Sequence, residues 1–233
     1  MRPSLLPEQK LHARLAGSPY RGTFESHITI EAVDRDQHSH FRDVCRQIGV
    51  KSVLIELPEG ATRSQPMTAC YHHGEICLVV EEVISQCRAL RTAGFILARV
   101  KLEAVATNEG VPDSDEQAAR APAANYFEFH VKLLLPANAD LEALRACCHR
   151  HNARLSRNAL KTDSDGRTER FVTLRLYGIG RRSAFTRLEA LERDLSASRF
   201  AVANRQREYT IFDSAERLDA GWIDPPAGAG VGS

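Results

Sequence analysis

Phe24-Glu25-Ser26-His27-Ile28-Thr29-Ile30 and Phe127-Glu128-Phe129-His130-Val131-Lys132-Leu133 are two versions of one pattern. Both read Phe-Glu-x-His, and then apolar and polar residues alternate. Period-two alternation predicts a strand with one buried face. The same order of elements follows each copy. After the first come a helix near 37–48 that stops at Gly49, strands at 51–57 and 66–73, a helix at 76–93 that stops at Gly94, and a strand at 95–105. After the second come a helix at 140–151 with Asn138 or Asp140 as cap, and strands at 154–161 and 168–177 split by Asp163-Ser164-Asp165-Gly166. A helix at 181–197 and a strand at 200–212 complete it.

Strand–helix–strand–strand–helix–strand, written twice, predicts an α+β chain of two tandem ferredoxin-like (βαββαβ) units with antiparallel sheets in a pseudo-two-fold arrangement. The expected layout is a first unit over 20–105, a Pro/Ala-rich linker over 106–124, a second unit with a C-terminal extension over 125–223, and a disordered tail over 224–233. The extension carries Trp222, the one tryptophan, expected to dock it on the body.

Bulk properties exclude more than they identify. The chain has 233 residues, 43% of them hydrophobic and 26% charged, as a globular protein with a real core should have. A net charge of +1 announces no partner by its field. The start of the chain lacks the apolar core of a secretory signal, and no run is long enough to cross a bilayer, so the expectation is a cytoplasmic protein with no membrane partner. The six cysteines form no CxxC pair and are expected to be reduced core thiols.

Candidate chemistry lies on the polar side of the predicted sheets. With Ile28, Ile30, Val131 and Leu133 toward the helices, the opposite face receives Glu25, His27 and Thr29 in one unit and Glu128, His130 and Lys132 in the other. The last strands add Arg99, Lys101 and Glu103, and in the same register Asn204, Gln206 and Glu208. The bland alternative is a solvated sheet face, but two histidines and two glutamates at matched places speak for function. One imidazole can take a proton while the other supplies one. The expected catalytic set is therefore His27, His130, Thr29 and Lys132.

Arg157, Lys161 and Arg175 are the expected phosphate-holding cations, with Glu103 and Glu208 as further substrate contacts. The second copy, 126–213, has 16 Lys/Arg against 11 Asp/Glu, whereas 24–104 has 9 against 11. Gly178-Ile179-Gly180 at a strand-to-helix turn could add backbone N–H groups for an anion.

His27-Ile28-Thr29-Ile30 resembles the H-x-T-x motif that the 2H phosphoesterase family carries twice; the second copy departs from it, with Lys132 in the Thr position. Glu128-x-His130-x-Lys132 is similar to the acidic strand of triphosphate tunnel enzymes, with His in place of the central acid. Both resemblances imply phosphate chemistry. The expected function is a phosphoesterase-type enzyme acting on a phosphorylated or nucleotide-like substrate in a cleft between the two repeats. The alternative is a non-catalytic ligand-binding or protein-interaction module. No cofactor and no metal site are expected, since no P-loop, GxSxG or HExxH motif occurs and the paired histidines (His38/His40, His72/His73, His149/His151) fit no ligand spacing. The scarcity of aromatic residues on the polar faces argues against nucleic acid.

Overall fold

The computed structural model describes residues 6–15, 17–31, 34–60, 62–162 and 167–223; for 35 and 157–162 it describes the backbone alone. The turn expected at 163–166 and the tail expected from 224 lie outside the described residues.

The two alternating stretches form β1 (Arg21–Ile30) and β5 (Tyr126–Leu135). After β1 come α2 (Arg35–Gln47), β2 (Lys51–Glu56), β3 (Ser64–Glu75), α3 (Ile76–Thr92) and β4 (Leu97–Val105). After β5 come α5 (Leu141–Arg150), β6 (Arg154–Thr162), β7 (Thr168–Tyr177), α6 (Arg181–Ala197) and β8 (Val202–Asp213). Local chemistry sets their ends. Asp34 and Gln37 close a capping box on α2, and Asp140 accepts from the backbone of Glu142 and Ala143 at the start of α5. Helix α3 buries Ile76, Val79, Val80, Val83, Ile84, Cys87 and Leu90, an apolar stripe at three- and four-residue spacing, and packs on β1, β3 and β4. Helix α6 does the same with Ala184, Leu188, Leu191 and Leu195, and meets α5 and β5.

The chain divides into two compact units. The first comprises 1–54, 64–111 and 210–218, and the second 55–63, 112–209 and 219–233. Within the first, the strands lie in the order β4-β1-β3-β2, and β1 runs antiparallel to both neighbours. Within the second, the order is β8-β5-β7-β6, with β7 antiparallel to β5 and β6. Each unit is thus an antiparallel α+β assembly.

Three features depart from expectation. A helix, α1 (Pro7–Leu15), precedes β1; it buries Leu11 and Leu15, packs on α3, and its Glu8 meets Arg91 at 3.3 Å. The segment expected as a linker is folded: Ala106, Val111 and Ala118 are buried, and a short capped helix, α4 (Asp115–Ala118), forms within it. The third departure is the most consequential. The polar sheet face is not an open, solvated one, because Glu25, Thr29, Arg99, Lys101, Glu103, Glu128 and Glu208 are all buried. Among the described residues, no helix is long and apolar enough to cross a membrane.

Candidate acid–base centres

Strand register assembles the first centre. Across the β1–β4 pair, Glu25 faces Glu103, His27 faces Lys101 and Thr29 faces Arg99. His27 Nδ1 lies 3.1 Å from the carbonyl oxygen of Thr68. A carbonyl only accepts, so Nδ1 carries hydrogen, and Nε2 is the nitrogen left for chemistry. Nε2 sits 3.3 Å from Glu103 Oε2 and 3.8 Å from Glu25 Oε1. Glu103 is itself held from its other oxygen: Lys101 Nζ is 2.8 Å from Oε1, and the Thr210 hydroxyl donates to Oε1 at 3.1 Å. Burial pushes the His27 pKa down, but the Glu103 hydrogen bond and the Glu25 and Glu103 charges outweigh burial and the Lys101 charge, so it lies above the ordinary value. The His27 side chain retains 21% exposure, so the proton at Nε2 is not sealed in.

The second centre has the same parts from different strands. Across β5–β7, Glu128 faces Arg175 and His130 faces Thr173. His130 Nδ1 is 3.0 Å from the Thr173 hydroxyl, and Nε2 is 3.4 Å from Glu128 Oε2 and 3.9 Å from Glu208 Oε2. Glu128 is held at Oε1 by Arg175, with Nε at 2.7 Å and Nη2 at 2.6 Å. Nη2 of Arg175 also donates to Asp219 at 2.7 Å, and its guanidinium lies over the Tyr126 ring. His130 keeps 25% side-chain exposure.

The other expected residues are placed as follows. Thr29 is buried opposite Arg99, and its hydroxyl has no hydrogen-bond partner among the described residues. Lys132 Nζ pairs with Glu169 at 2.6 Å. Arg175, expected as a phosphate contact, has a side chain that is 3% exposed and carries two carboxylates. The side chains of Arg157 and Lys161 lie outside the described residues.

The anion seat expected at Gly178–Gly180 is occupied from within the same unit. Asp115 accepts from the Gly180 backbone N–H at 2.7 Å and from the Ser183 hydroxyl at 3.0 Å. Asp113 pairs with Arg181 and Arg182, and these hydrogen bonds, Arg181 first, hold its pKa below the ordinary carboxylate value. A Cβ at Gly180 would come within 2.3 Å of the Ser114 backbone, so this close approach needs glycine.

Behind the first centre, on the helix side of β1, runs a hydrogen-bonded chain that sequence reasoning missed. Ser26 Oγ is 2.8 Å from His72 Nε2, and His72 Nδ1 is 2.6 Å from Glu82 on α3. The connectivity is that of a Ser–His–acid triad. Its hydroxyl, however, is wholly buried and its acid is the exposed end, so no substrate reaches the would-be nucleophile. The chain satisfies polar groups in the core instead. Alternation alone could have placed His72 on that face, two residues from Cys70 opposite Ser26.

All six cysteines are free, and Cys77 is exposed rather than in the core. Burial raises the Cys87 and Cys148 pKa to about 12 and that of Cys45 to about 11, which keeps these thiols protonated and poor as ligands or nucleophiles. Among the described residues, no three His, Cys, Asp or Glu side chains are grouped to hold a metal ion.

No family model matches this chain, and no curated protein is similar to it in sequence. Solved structures overlap it slightly. A mutant chlorite dismutase from Candidatus Nitrospira defluvii shares 11% identity at a TM-score of 0.29, covering 90% of this chain and 98% of that one. DyPB from Rhodococcus jostii RHA1 shares 8% at 0.26, covering 89% and 97%. Likenesses at this level leave the function to be argued from the centres themselves.

Proposed function

We propose that this chain is an acid–base enzyme whose working groups are His27 and His130. The observation that carries this reading is common to both units: each histidine is anchored at Nδ1, turns Nε2 toward two glutamates, and stays partly exposed. Buried charges on this scale cost stability unless paired. Their concentration around one partly exposed imidazole per unit is what a proton-transfer centre needs. In the first unit the roles follow from the hydrogen bonds. His27, protonated at Nε2, donates to a leaving oxygen or nitrogen, and Glu103 and Glu25 stabilise the imidazolium. In the second, the Thr173 hydroxyl can donate to or accept from Nδ1, so His130 is served in either protonation state.

We read the two units as copies of one ferredoxin-like βαββαβ unit. The substrate reading moves away from phosphate held at these centres, since Arg175, Lys132 and Lys101 each meet a carboxylate. The group presented to Nε2 is neutral or cationic, and a phosphate elsewhere on the substrate falls to Arg157 and Lys161 on β6.

A panel of a para-nitrophenyl phosphodiester, a cyclic nucleotide and para-nitrophenyl acetate tests this. Turnover should drop by about 10²–10⁴-fold in His27→Gln and His130→Gln, with little change in melting temperature. Wild-type turnover in the double variant would overturn the roles of the two histidines, and no turnover by the wild type on any of the three would leave a non-catalytic ligand-binding module. That reading is favoured by the close internal pairing of the cations.

A further inference from the structure

Beside His27 the β1–β3 ladder is interrupted. The paired register runs from Arg21 with Glu75 to Ser26 with Cys70 and resumes at Thr29 with Met67. The two pairs passed over are His27 with Ala69 and Ile28 with Thr68. In an antiparallel ladder both depend on one bond, from the Ile28 N–H to the Thr68 carbonyl. That bond is replaced from both ends. The Ile28 N–H donates to the Thr68 hydroxyl at 3.0 Å, and the Thr68 carbonyl accepts from His27 Nδ1 at 3.1 Å. Ile28 and Thr68 are both fully buried, so each of these backbone groups needs the partner it has taken.

The β5–β7 pair shows the uninterrupted form. Its register is continuous from Tyr126 with Tyr177 to Leu135 with Thr168. His130 lies opposite Thr173, whose hydroxyl reaches Nδ1 directly, and the next pair is Val131 with Val172. Valine has no hydroxyl to draw the Val131 N–H out of the ladder, and the ladder stays closed. Level with His27, by contrast, stands Ala69, which offers no side-chain partner; the hydroxyl stands one residue earlier, at Thr68.

We propose that Thr68 is a positioning residue: its hydroxyl draws the Ile28 N–H out of the ladder, and the carbonyl released in this way fixes the hydrogen of His27 at Nδ1. A carbonyl only accepts, so this anchor holds one tautomer and leaves Nε2 as the atom that gains and loses a proton. The Thr173 hydroxyl, which can donate or accept, places no such restriction on His130. The use of this device rests on the acid–base reading, but its test needs no substrate.

Ring-nitrogen NMR of His27 is recorded on the full chain, at a pH where the imidazole is neutral, for wild type, Thr68→Val and Thr68→Ser. The wild type should carry its hydrogen at Nδ1. Thr68→Val keeps the shape and removes the hydroxyl, so the Ile28 N–H should return to the carbonyl of residue 68, read as a coupling across that hydrogen bond. The neutral ring should then lose the Nδ1–H form in favour of Nε2–H, where Glu103 accepts. Thr68→Ser should keep the wild-type pattern. A purely structural role for Thr68 would lower the melting temperature of Thr68→Val without moving the tautomer. Nδ1–H retained in Thr68→Val, Nε2–H in the wild type, or loss of Nδ1–H in Thr68→Ser overturns the proposal. If Thr68→Val does not fold, the wild type decides: a coupling between the Ile28 nitrogen and the Thr68 carbonyl overturns it, and no such coupling together with Nδ1–H upholds it. Surviving turnover in His27→Gln ends the acid–base reading and leaves the tautomer result standing, whereas an unchanged ring in Thr68→Val leaves the turnover test standing.

Discussion

The strands that carry Glu-x-His are supported differently in the two units, and the contrast shows what that shared pattern leaves free. On the helix side of β1, Ser26 is tied through His72 to Glu82. At the matching place on β5 stands Phe129, packed against the rings of Phe127 and Phe185. One strand is seated by a polar chain and the other by aromatic packing, yet both present Glu-x-His on the opposite face. On that face, Tyr71 is more than half exposed, whereas its counterpart Arg175 is buried between two carboxylates. Two ways of satisfying the same pleat are equally compatible with an antiparallel sheet, because the ladder bonds are backbone bonds and leave side chains to the local surroundings.

The sharpest way to break this comparison is at the buried pairs. Arg175→Met leaves Glu128 and Asp219 buried without their cation and should cost about 3–5 kcal/mol in chemical denaturation. Tyr71→Ala, at the corresponding place in the first unit, should cost far less because that side chain is largely solvated. Phe129→Ala removes a fully buried ring and should cost about 3–5 kcal/mol. Ser26→Ala, its counterpart, deletes one hydrogen bond and leaves His72 Nε2 without that partner, for about 1–3 kcal/mol. An equal loss at Phe129 and Ser26 would contradict the distinction between aromatic and polar seating. A pH dependence sharpens it further. The folded His27 pKa is raised, so the native state binds this proton more tightly than the unfolded chain. Its stabilising contribution is complete below about 6.5, the ordinary value, and is lost as pH rises through the raised value. Denaturation midpoints between about pH 6 and 8 should therefore fall less steeply in His27→Gln than in wild type. This is the smallest effect of the set.

Much of this was readable in the residues. Alternation located β1 and β5 and the stop glycines bounded α2 and α3, because both are local consequences of backbone geometry. The faces of Glu25, His27, Glu103, Glu128, His130 and Glu208 followed from period two. Which side chain pairs with which did not. Nothing at Arg175 distinguishes a phosphate contact from a partner of Asp219, 44 residues away. Nothing at 113 and 115 announces that these aspartates fill the anion seat at Gly180. Helix α1 was missed because its apolar face is short, with only Leu11 and Leu15 among its apolar residues buried.

By itself, then, the sequence determined the order of elements, the faces of the strands and the presence of a histidine between glutamates in each unit, all through short-range periodicity. The tertiary structure alone decided that the polar faces are buried, that Lys101 meets Glu103 and Arg175 meets Glu128, and that Asp115 takes the Gly180 N–H at the start of α6. Those outcomes depend on long-range pairing of charges in a low-dielectric surrounding, where a buried cation takes whichever carboxylate the strand register brings within reach.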